Sequence, residues 1–548
     1  MPKLRVLALL AALGIVPVAC GPAGPSRAAV TQSIQARVVS VDQTGKVSGE
    51  RLLEPKAVAR FYKARNSKTA WNPDVVPKIV EAIQGVYADG LNPEDYHLAT
   101  IQRLDERRKH ATTAELEADL DLLVSDAIAA LVDHSRYGRI HPRSLDPRWN
   151  VDPRDGAPPL EESLTRVLEA GDPVKAVQAE KPDHFIYKGL VGALAQLRAI
   201  ETNGGWGTVP AGKAIRPGTL DPRVPRLRTR LAASGELDAA AKADSSRRYD
   251  AALVAAVKLF QARHRLDETG VVDKTTLAAM NVTASARAAQ VRVNLERARW
   301  VLGGLKGDFM LVNLPAFKAY LIQGNQNVWE ARTQIGEEAK QTPTFRATMH
   351  TVVFNPDWTV PQSIVAEEIL PKVERDKGAL EKLKLKVYDS SGGEVDPSSV
   401  DWSSASEDNF PYTLKQPPGP DNPLGRVKFL FPNKYSIYLH DTPSKHLFET
   451  SKRTLSHGCI RLENALDLAE LLLRGQDGWD QAKIQEVLAT TETQNVELAH
   501  GPAVLIVYWT VSVGASGEVR YADDIYHLDQ ALLDALNAPS RAVTTGPS

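Results

Sequence analysis

The spacing of apolar residues changes near residue 305, and that change limits the chain to a helical front joined to a β-rich back. Across residues 114–132, Leu116, Leu120, Leu123, Ala127 and Leu131 recur at three- and four-residue intervals, the stripe that one buried helix face requires. Asp89-Gly90-Leu91-Asn92-Pro93 and Gly138-Arg139-Ile140-His141-Pro142 are turn-rich punctuation between helices. His134 and His141 lie nearby, but they lack both the i, i+4 spacing and a carboxylate in register that would make them metal ligands. After a polar helix over 284–301, residues 309–314 and 318–322, bounded by Pro315 and by Gly324-Asn325, have the form of a hairpin. Further β-rich runs are 351–354, 427–431, 436–439 and 504–513, the last turning at Gly514-Ala515-Ser516-Gly517 into 518–521.

The expected fold class is multidomain α+β, and 548 residues suit three or four domains at roughly 100–200 residues each. A helical scaffold covers 29–220, closing in a loop with Gly204-Gly205-Trp206-Gly207 and Pro217-Gly218. A small three-helix module covers 221–285: Asp250 caps its main helix, Leu253, Val257 and Phe260 line the buried face, and Asp273 caps a short helix containing Leu277. The β-rich domain covers 300–535 and leaves a tail at 536–548. Within it, residues 362–425 read differently, with helical pieces between 364 and 383 broken at Pro371 and Gly378, then Ser391-Gly392-Gly393 and Pro417-Pro418-Gly419-Pro420. An insertion of that length beside a sheet reads as a capping lid.

The N-terminus sets the expected compartment. Lys3 and Arg5 precede an apolar run over 6–19, whose 14 residues fall short of the ~20 a spanning helix needs and suit a secretory signal occupying 1–28. Val18-Ala19-Cys20-Gly21 resembles a bacterial lipoprotein cleavage site, with Pro17 where that site has Leu, Val or Ile. Two readings stand: lipidation and membrane anchoring at Cys20, or plain cleavage between Cys20 and Ala29. With 66 Lys+Arg against 67 Asp+Glu, no global basic field argues for nucleic acid. The only other cysteine is Cys459, so no disulfide framework exists, and an unpaired thiol in an oxidising compartment calls for a chemical reason.

That reason lies in Ser456-His457-Gly458-Cys459-Ile460-Arg461, with His440 19 residues before the cysteine. Asn464 is placed to cap a helix over 465–473, so Cys459 is expected just ahead of a helix N-terminus whose dipole, with a nearby imidazole, favours a thiolate. Gly458 allows a sharp turn that aims backbone N–H groups at one point, as an oxyanion needs. Tyr438, Leu439 and His440 close a strand before the Asp441-Thr442-Pro443 turn and present an imidazole at a cleft. Together these describe a thiol nucleophile with a positioned base. No metal or cofactor is called for.

His440, a 15-residue gap and then Ser456-His457-Gly458-Cys459-Ile460-Arg461-Leu462 resemble the signature of L,D-transpeptidase catalytic domains, the bacterial cell-wall cross-linkers. Gln341-Thr342-Pro343-Thr344-Phe345 and Asn355-Pro356-Asp357-Trp358-Thr359-Val360-Pro361 extend the resemblance over roughly 305–530. Phe260-Gln261, Thr269-Gly270-Val271-Val272-Asp273 and Thr276-Leu277 resemble a peptidoglycan-binding module. The helical front, with Asp89-Gly90-Leu91-Asn92-Pro93-Glu94-Asp95-Tyr96-His97, is similar to that of large Gram-negative members, which implies a periplasmic protein.

The resemblance implies that Cys459 attacks the carbonyl joining the L-centre of diaminopimelate to the terminal D-Ala of a tetrapeptide donor. A thioester forms, D-Ala leaves, and a diaminopimelate amine of a second stem accepts the acyl group in a 3→3 cross-link. It implies His440 as base, oriented by the carbonyl of Asp441, with the Asp441 carboxylate as a rival orienter. It implies oxyanion contacts from the Gly458 and Cys459 amides with His457 as a further contributor, and substrate contacts from Arg461, Ser456, Trp358 and Tyr438. Carbapenem-type inhibitors are expected to acylate such a thiol. The alternatives are an L,D-carboxypeptidase using water as acceptor, a non-enzymatic wall-binding protein, and a zinc site at His440, His457 and Cys459, which lacks the usual cysteine pair.

Overall fold

Thr113 accepts a hydrogen bond from the Leu116 amide and so starts the helix Ala114–Tyr137. In the computed structural model, which describes residues 24–150, 152–303, 305, 307–324, 326–402, 409–514 and 516–540, this helix is the axis of the front half. Residues 1–23 of the leader, with Cys20, lie outside the described residues. The predicted stripe on this helix is buried, but so are Leu122, Val124, Ile128, Ala129 and Ala130. A single face was expected. The helix is instead enclosed by Arg27–Thr44, Pro55–Ala64, Leu98–His110 and Leu160–Ala170.

The expected polar helix is Ala284–Leu302, and it packs against Phe185–Thr202 on one side and Asp529–Asn537 on another. Several of its polar side chains are enclosed and paired: Asn294 donates to Thr510 Oγ1 at 2.9 Å, Arg299 pairs with Glu296 at 2.9 Å, and the half-buried Arg292 reaches the Gly90 carbonyl at 2.9 Å. The Asn294 and Arg292 bonds tie this helix to the β-rich half and to the scaffold, and such pairing is what lets buried polar groups be tolerated. Gly138, at φ +90°, lies so close that a Cβ there would come within 2.9 Å of Glu296 and Trp300.

The small module has its own core of Val224, Leu227, Leu231, Leu253, Val257 and Phe260. Asp250 and Asp273 cap its helices as the sequence predicts, accepting from Leu253 N at 2.9 Å and Thr276 N at 2.8 Å.

Eleven strands make the main sheet: β1 Phe309–Asn313, β2 Lys318–Gln323, β3 Gln326–Gly336, β4 Phe345–Thr348, β5 Thr351–Phe354, β6 Val427–Leu430, β7 Leu439–His440, β8 Thr454–Ser456, β9 Ile460–Leu462, β10 Gln494–Glu497 and β11 Ala503–Val507. Their order is β10-β5-β6-β7-β9-β3-β2-β1-β11-β4, with β8 paired to β3. The predicted hairpin is β1–β2. Two strand readings are corrected. Residues 436–438 are irregular because Ser436 takes φ +56°, which leaves only Leu439–His440 in the ladder. The run 504–513 divides into β11 and Val511–Val513, which pairs with Val519–Tyr521 in a separate two-stranded sheet.

Beside the expected helical pieces the insertion carries short strands. Trp358–Thr359, Lys386–Tyr388, Glu394–Val395 and Thr413–Gln416 form a four-stranded sheet beside helical pieces that include a π-turn, Val365–Ile369. Val360, Val365, Ile369, Leu380, Val387 and Leu414 give it a core of its own. The expected break at Pro371 is corrected: Val365–Ile369 passes directly into Leu370–Arg375, with Pro371 just past the π-turn, and the break comes only before Ala379.

Candidate active site

Strand alternation builds the site. Leu439, Ile460 and Leu462 enter the hydrophobic core together with Ala465, Leu468 and Leu473 of the helix Ala465–Leu473. By the two-residue period His440 and Arg461 take the opposite face, and Tyr438 and Cys459 stand just before these strands, the cysteine also touching the edge of the core. The register sets Lys428 on β6 opposite His440 on β7, His440 opposite Arg461 on β9, and Arg461 opposite Gln334 on β3. One transverse row therefore carries Lys428, His440, Arg461 and Gln334, with Cys459 diagonal to His440.

The imidazole of His440 is buried and its Nδ1 donates to the Asp441 carbonyl oxygen at 2.6 Å. Nε2 is thereby left as the lone-pair nitrogen. Burial first, then the charges of Arg461 and Lys428, push the His440 pKa down to about 3. The Asp441 carboxylate looks elsewhere: it accepts from Arg426 N at 2.9 Å and pairs with Lys445. Gly425, at φ +63°, is compulsory beside it, because a Cβ would lie 2.3 Å from Asp441 Oδ2.

Cys459 is half-buried, and its thiol contacts the Ser436 carbonyl at 3.7 Å. Burial pushes its pKa up, opposed by the backbone N–H and hydroxyl of Tyr438 and by Arg461. Both shifts favour the neutral thiol and the neutral imidazole, against the thiolate that the sequence favours. The helix-dipole argument fails for a geometric reason. Helix Ala465–Leu473 follows the intervening strand β9 and packs on the core face, and Asn464 makes no side-chain cap.

The loop before the cysteine is tied internally. Ser456 Oγ donates to the Cys459 carbonyl at 2.5 Å and accepts from Gly458 N at 3.2 Å. Ser456 is thus a buried loop-shaping group and not a substrate contact, and the Gly458 amide is committed to it, which leaves the Cys459 amide as the better oxyanion donor of the two. Gly458 has φ +117°, a conformation L side chains rarely adopt. Thr342 Oγ1 donates to the Gly458 carbonyl at 2.7 Å and accepts from Gly336 N at 2.9 Å.

The remaining predicted residues divide. Arg461 donates to Gln334 Oε1 at 3.1 Å and to the Leu455 carbonyl at 3.4 Å, so it anchors the loop. Tyr438 stands 5.6 Å from the His440 ring, centroid to centroid. His457 is exposed and its Nε2 lies 2.8 Å from Glu368 Oε1, on the insertion, which turns it outward from the oxyanion position. Trp358 belongs to the insertion's sheet, opposite Gln416, and packs on the insertion's core. His440, His457 and Cys459 do not form a cluster of metal-ligating atoms; among the described residues one such cluster occurs, Glu54, Asp133 and His134 in the scaffold.

Sequence reasoning missed Lys428, Gln334 and Glu368. Lys428 had a signal, a lone lysine between the core residues Val427 and Phe429. Glu368 had none, because a carboxylate on a short helical piece ordinarily faces water.

Comparison with known families agrees with this geometry. Residues 307–485 match the family described as "L,D-transpeptidase catalytic domain". Over those residues the β-rich half is similar to L,D-transpeptidase catalytic domains. Residues 56–194 match the family "Scaffold domain" and 221–280 match "Putative peptidoglycan binding domain". A protein of Haemophilus influenzae named "Putative L,D-transpeptidase" is 32% identical over 243 residues, which are 44% of this chain and 48% of that protein. The match thus spans about half the length of that curated relative. Among solved structures, the L,D-transpeptidase of Xylanimonas cellulosilytica (residues 123–326) is 15% identical with a TM-score of 0.16, covering 54% of this chain and 99% of that one. A fused Zn-dependent amidase/peptidase/peptidoglycan-binding protein of Clostridium acetobutylicum is 12% identical with a TM-score of 0.14, covering 54% and 100%. Neither structural likeness bears on fold or function. In the matched stretch His440 and Arg461 thus lie on the sheet face opposite the core, while Ile460 and Leu462 enter the core.

Proposed function

We propose that this chain is a peptidoglycan L,D-transpeptidase that makes 3→3 cross-links through a Cys459 thioester. The observation that carries the reading is the Nδ1–H bond from His440 to the Asp441 carbonyl at 2.6 Å, which leaves Nε2 unprotonated on the strand paired with the one that follows Cys459. His440 takes the thiol proton as sulfur attacks the carbonyl before the terminal D-Ala. The C–N bond breaks, His440 returns the proton to the departing D-Ala amine, and the acyl group stays on sulfur. An acceptor amine then displaces sulfur and the thiol re-forms.

Outside the cytoplasm no nucleotide drives amide synthesis, so the thioester conserves the energy of the broken bond until the amine arrives. The insertion, with its own core and its Glu368–His457 contact beside the nucleophile, suits a lid that keeps water from that thioester. In this reading the protein works in the periplasm of a Gram-negative bacterium after export by residues 1–28, either anchored by lipid on Cys20 or released by plain cleavage. The 221–280 module would hold peptidoglycan, and carbapenems would acylate Cys459.

The test is purified full-length protein with tetrapeptide-bearing peptidoglycan fragments. Wild type should release D-Ala and yield 3→3 dimers, and Cys459→Ala, with unchanged circular dichroism, should yield neither. Cross-linking by the mutant would refute the reading. D-Ala release without dimers would make the protein an L,D-carboxypeptidase.

A further inference from the structure

The two walls of the site differ in charge. The sheet wall carries Lys428 and Arg461 on either side of His440 in one cross-strand row. The insertion wall carries Glu367 and Glu368 on its π-turn. Glu367 is tied to Lys340, on the segment that leads to Thr342. Glu368 Oε1 lies 2.8 Å from Nε2 of His457, two residues from the nucleophile, and 39% of its side-chain surface remains open. Its other oxygen, Oε2, lies 3.6 Å from Lys372 Nζ one turn on, an exposed i, i+4 pair of little worth in water, so the accessible carboxylate can exchange that partner for an incoming ammonium.

We infer that Glu368 is the acceptor-binding residue: it receives the ammonium group of the incoming amine on the insertion side, while the cationic sheet wall takes the carboxylates of the donor stem. The inference rests on the transpeptidase reading above and assigns its second substrate to a wall of the cleft. Opposite charge at contact distance in a partly desolvated cleft raises local amine concentration and orients it. The ammonium passes one proton to the Glu368 carboxylate, which exchanges it with solvent. The neutral amine attacks the thioester carbonyl, a C–N bond forms and the C–S bond breaks. The second proton leaves the nitrogen through His440 and ends on the Cys459 sulfur. The neighbouring Arg461 is sensitive to the same carboxylate, whose charge raises the arginine pKa against the effect of burial.

The test compares nucleophiles on the preformed acyl-enzyme of full-length protein. Glu368→Gln should still be acylated by the tetrapeptide donor, with D-Ala released. Transfer to a diamino-acid stem, whose side chain is an ammonium at neutral pH, should fall about tenfold or more through a raised KM. Transfer to hydroxylamine, uncharged at neutral pH, should change less than about twofold, and Glu368→Asp should recover part of the loss. His457→Gln breaks the contact to Glu368 but keeps the carboxylate, and should preserve the preference for the charged acceptor. Equal loss toward both nucleophiles, reproduced by His457→Gln, would reduce Glu368 to a latch and overturn the inference, as would undiminished transfer in Glu368→Gln. Failure of the wild-type protein to form an acyl-enzyme would instead sink the transpeptidase reading itself, a distinct outcome read in the first step.

Discussion

His440 donates its Nδ1–H to the backbone carbonyl of Asp441 at 2.6 Å, while the carboxylate of the same Asp441 turns away to Arg426 N and Lys445. The orienting group is therefore a main-chain atom, which no side-chain substitution removes. Where a carboxylate orients a catalytic imidazole, replacing it by its amide costs about 10^4 in kcat. Asp441→Asn keeps an oxygen for Arg426 N and the carbonyl for His440, so kcat should fall less than about tenfold. A loss near 10^4, measured by D-Ala release, would show that the carboxylate matters to the imidazole.

The shifts at Cys459 and His440 favour a neutral pair, which fixes the sign of the pH response. The His440 pKa lies at about 3, so its base form is already complete well below neutrality. D-Ala release should show no acid limb near the ordinary imidazole pKa of about 6.5. The thiol is pushed up by burial, so iodoacetamide alkylation should climb steadily through the alkaline range. Alkylation that is fast and flat across about pH 6 to 8 would reveal a thiolate–imidazolium pair and contradict the geometry.

Much of this site was legible in the sequence because its chemistry is contiguous. Ser456 to Arg461 lie on one short loop and strand, and His440 ends a strand before a Pro turn, so local grammar places them. The caps at Asp250 and Asp273 were legible for the same reason. What failed depended on long-range register. The dipole argument needed the face on which helix Ala465–Leu473 packs, and only the sheet decides that. Likewise the polar composition of Ala284–Leu302 gives no hint that Glu296 and Arg299 are buried against each other, since partners such as Asp89 and Thr510 lie over 200 residues away in sequence. Glu368 reaches His457 across 89 residues, a contact without local signature.

Thr342 ties the nucleophile loop to the strap below it through two bonds on one buried oxygen, to the Gly458 carbonyl and from Gly336 N. Thr342→Val keeps the volume but removes both bonds and strands two buried backbone groups, at about 1–3 kcal/mol each. The strap is also held by Tyr526, whose hydroxyl donates to the Gly336 carbonyl at 2.5 Å, so the fold should survive. The expected result is a lowered unfolding midpoint and a drop in Cys459 acylation of about tenfold or more, because Gly458 loses the anchor that holds its φ near +117°. Unchanged acylation in a destabilised protein would show that the loop is set by Ser456 alone.

The scaffold carries a group whose ionisation works against folding. Glu54 is enclosed near Asp133 and Asp126, and one ligand-type atom from each of Glu54, Asp133 and His134 lies within 4.8 Å of the others. Asp133 is held by Arg154 at 2.5 Å, so the Glu54 carboxyl meets a committed neighbour. Burial, then repulsion from Asp133 and Asp126, raises its pKa from 4.5 to about 8. Between those values the folded state keeps a proton that the unfolded state has released, so stability falls as pH rises through the window and the full cost is reached above about 8. Glu54→Gln keeps the shape and cannot ionise. It should leave stability nearly unchanged at pH 4 and raise it by about 1–3 kcal/mol at pH 8, less than the shift alone implies because the side chain is partly open to water. Hydrogen exchange of the amides in Ala114–Tyr137, which packs beside Glu54, reads this locally without requiring the whole multidomain chain to unfold together. A gain equal at both pH values would mean that packing, not ionisation, is what the substitution changes.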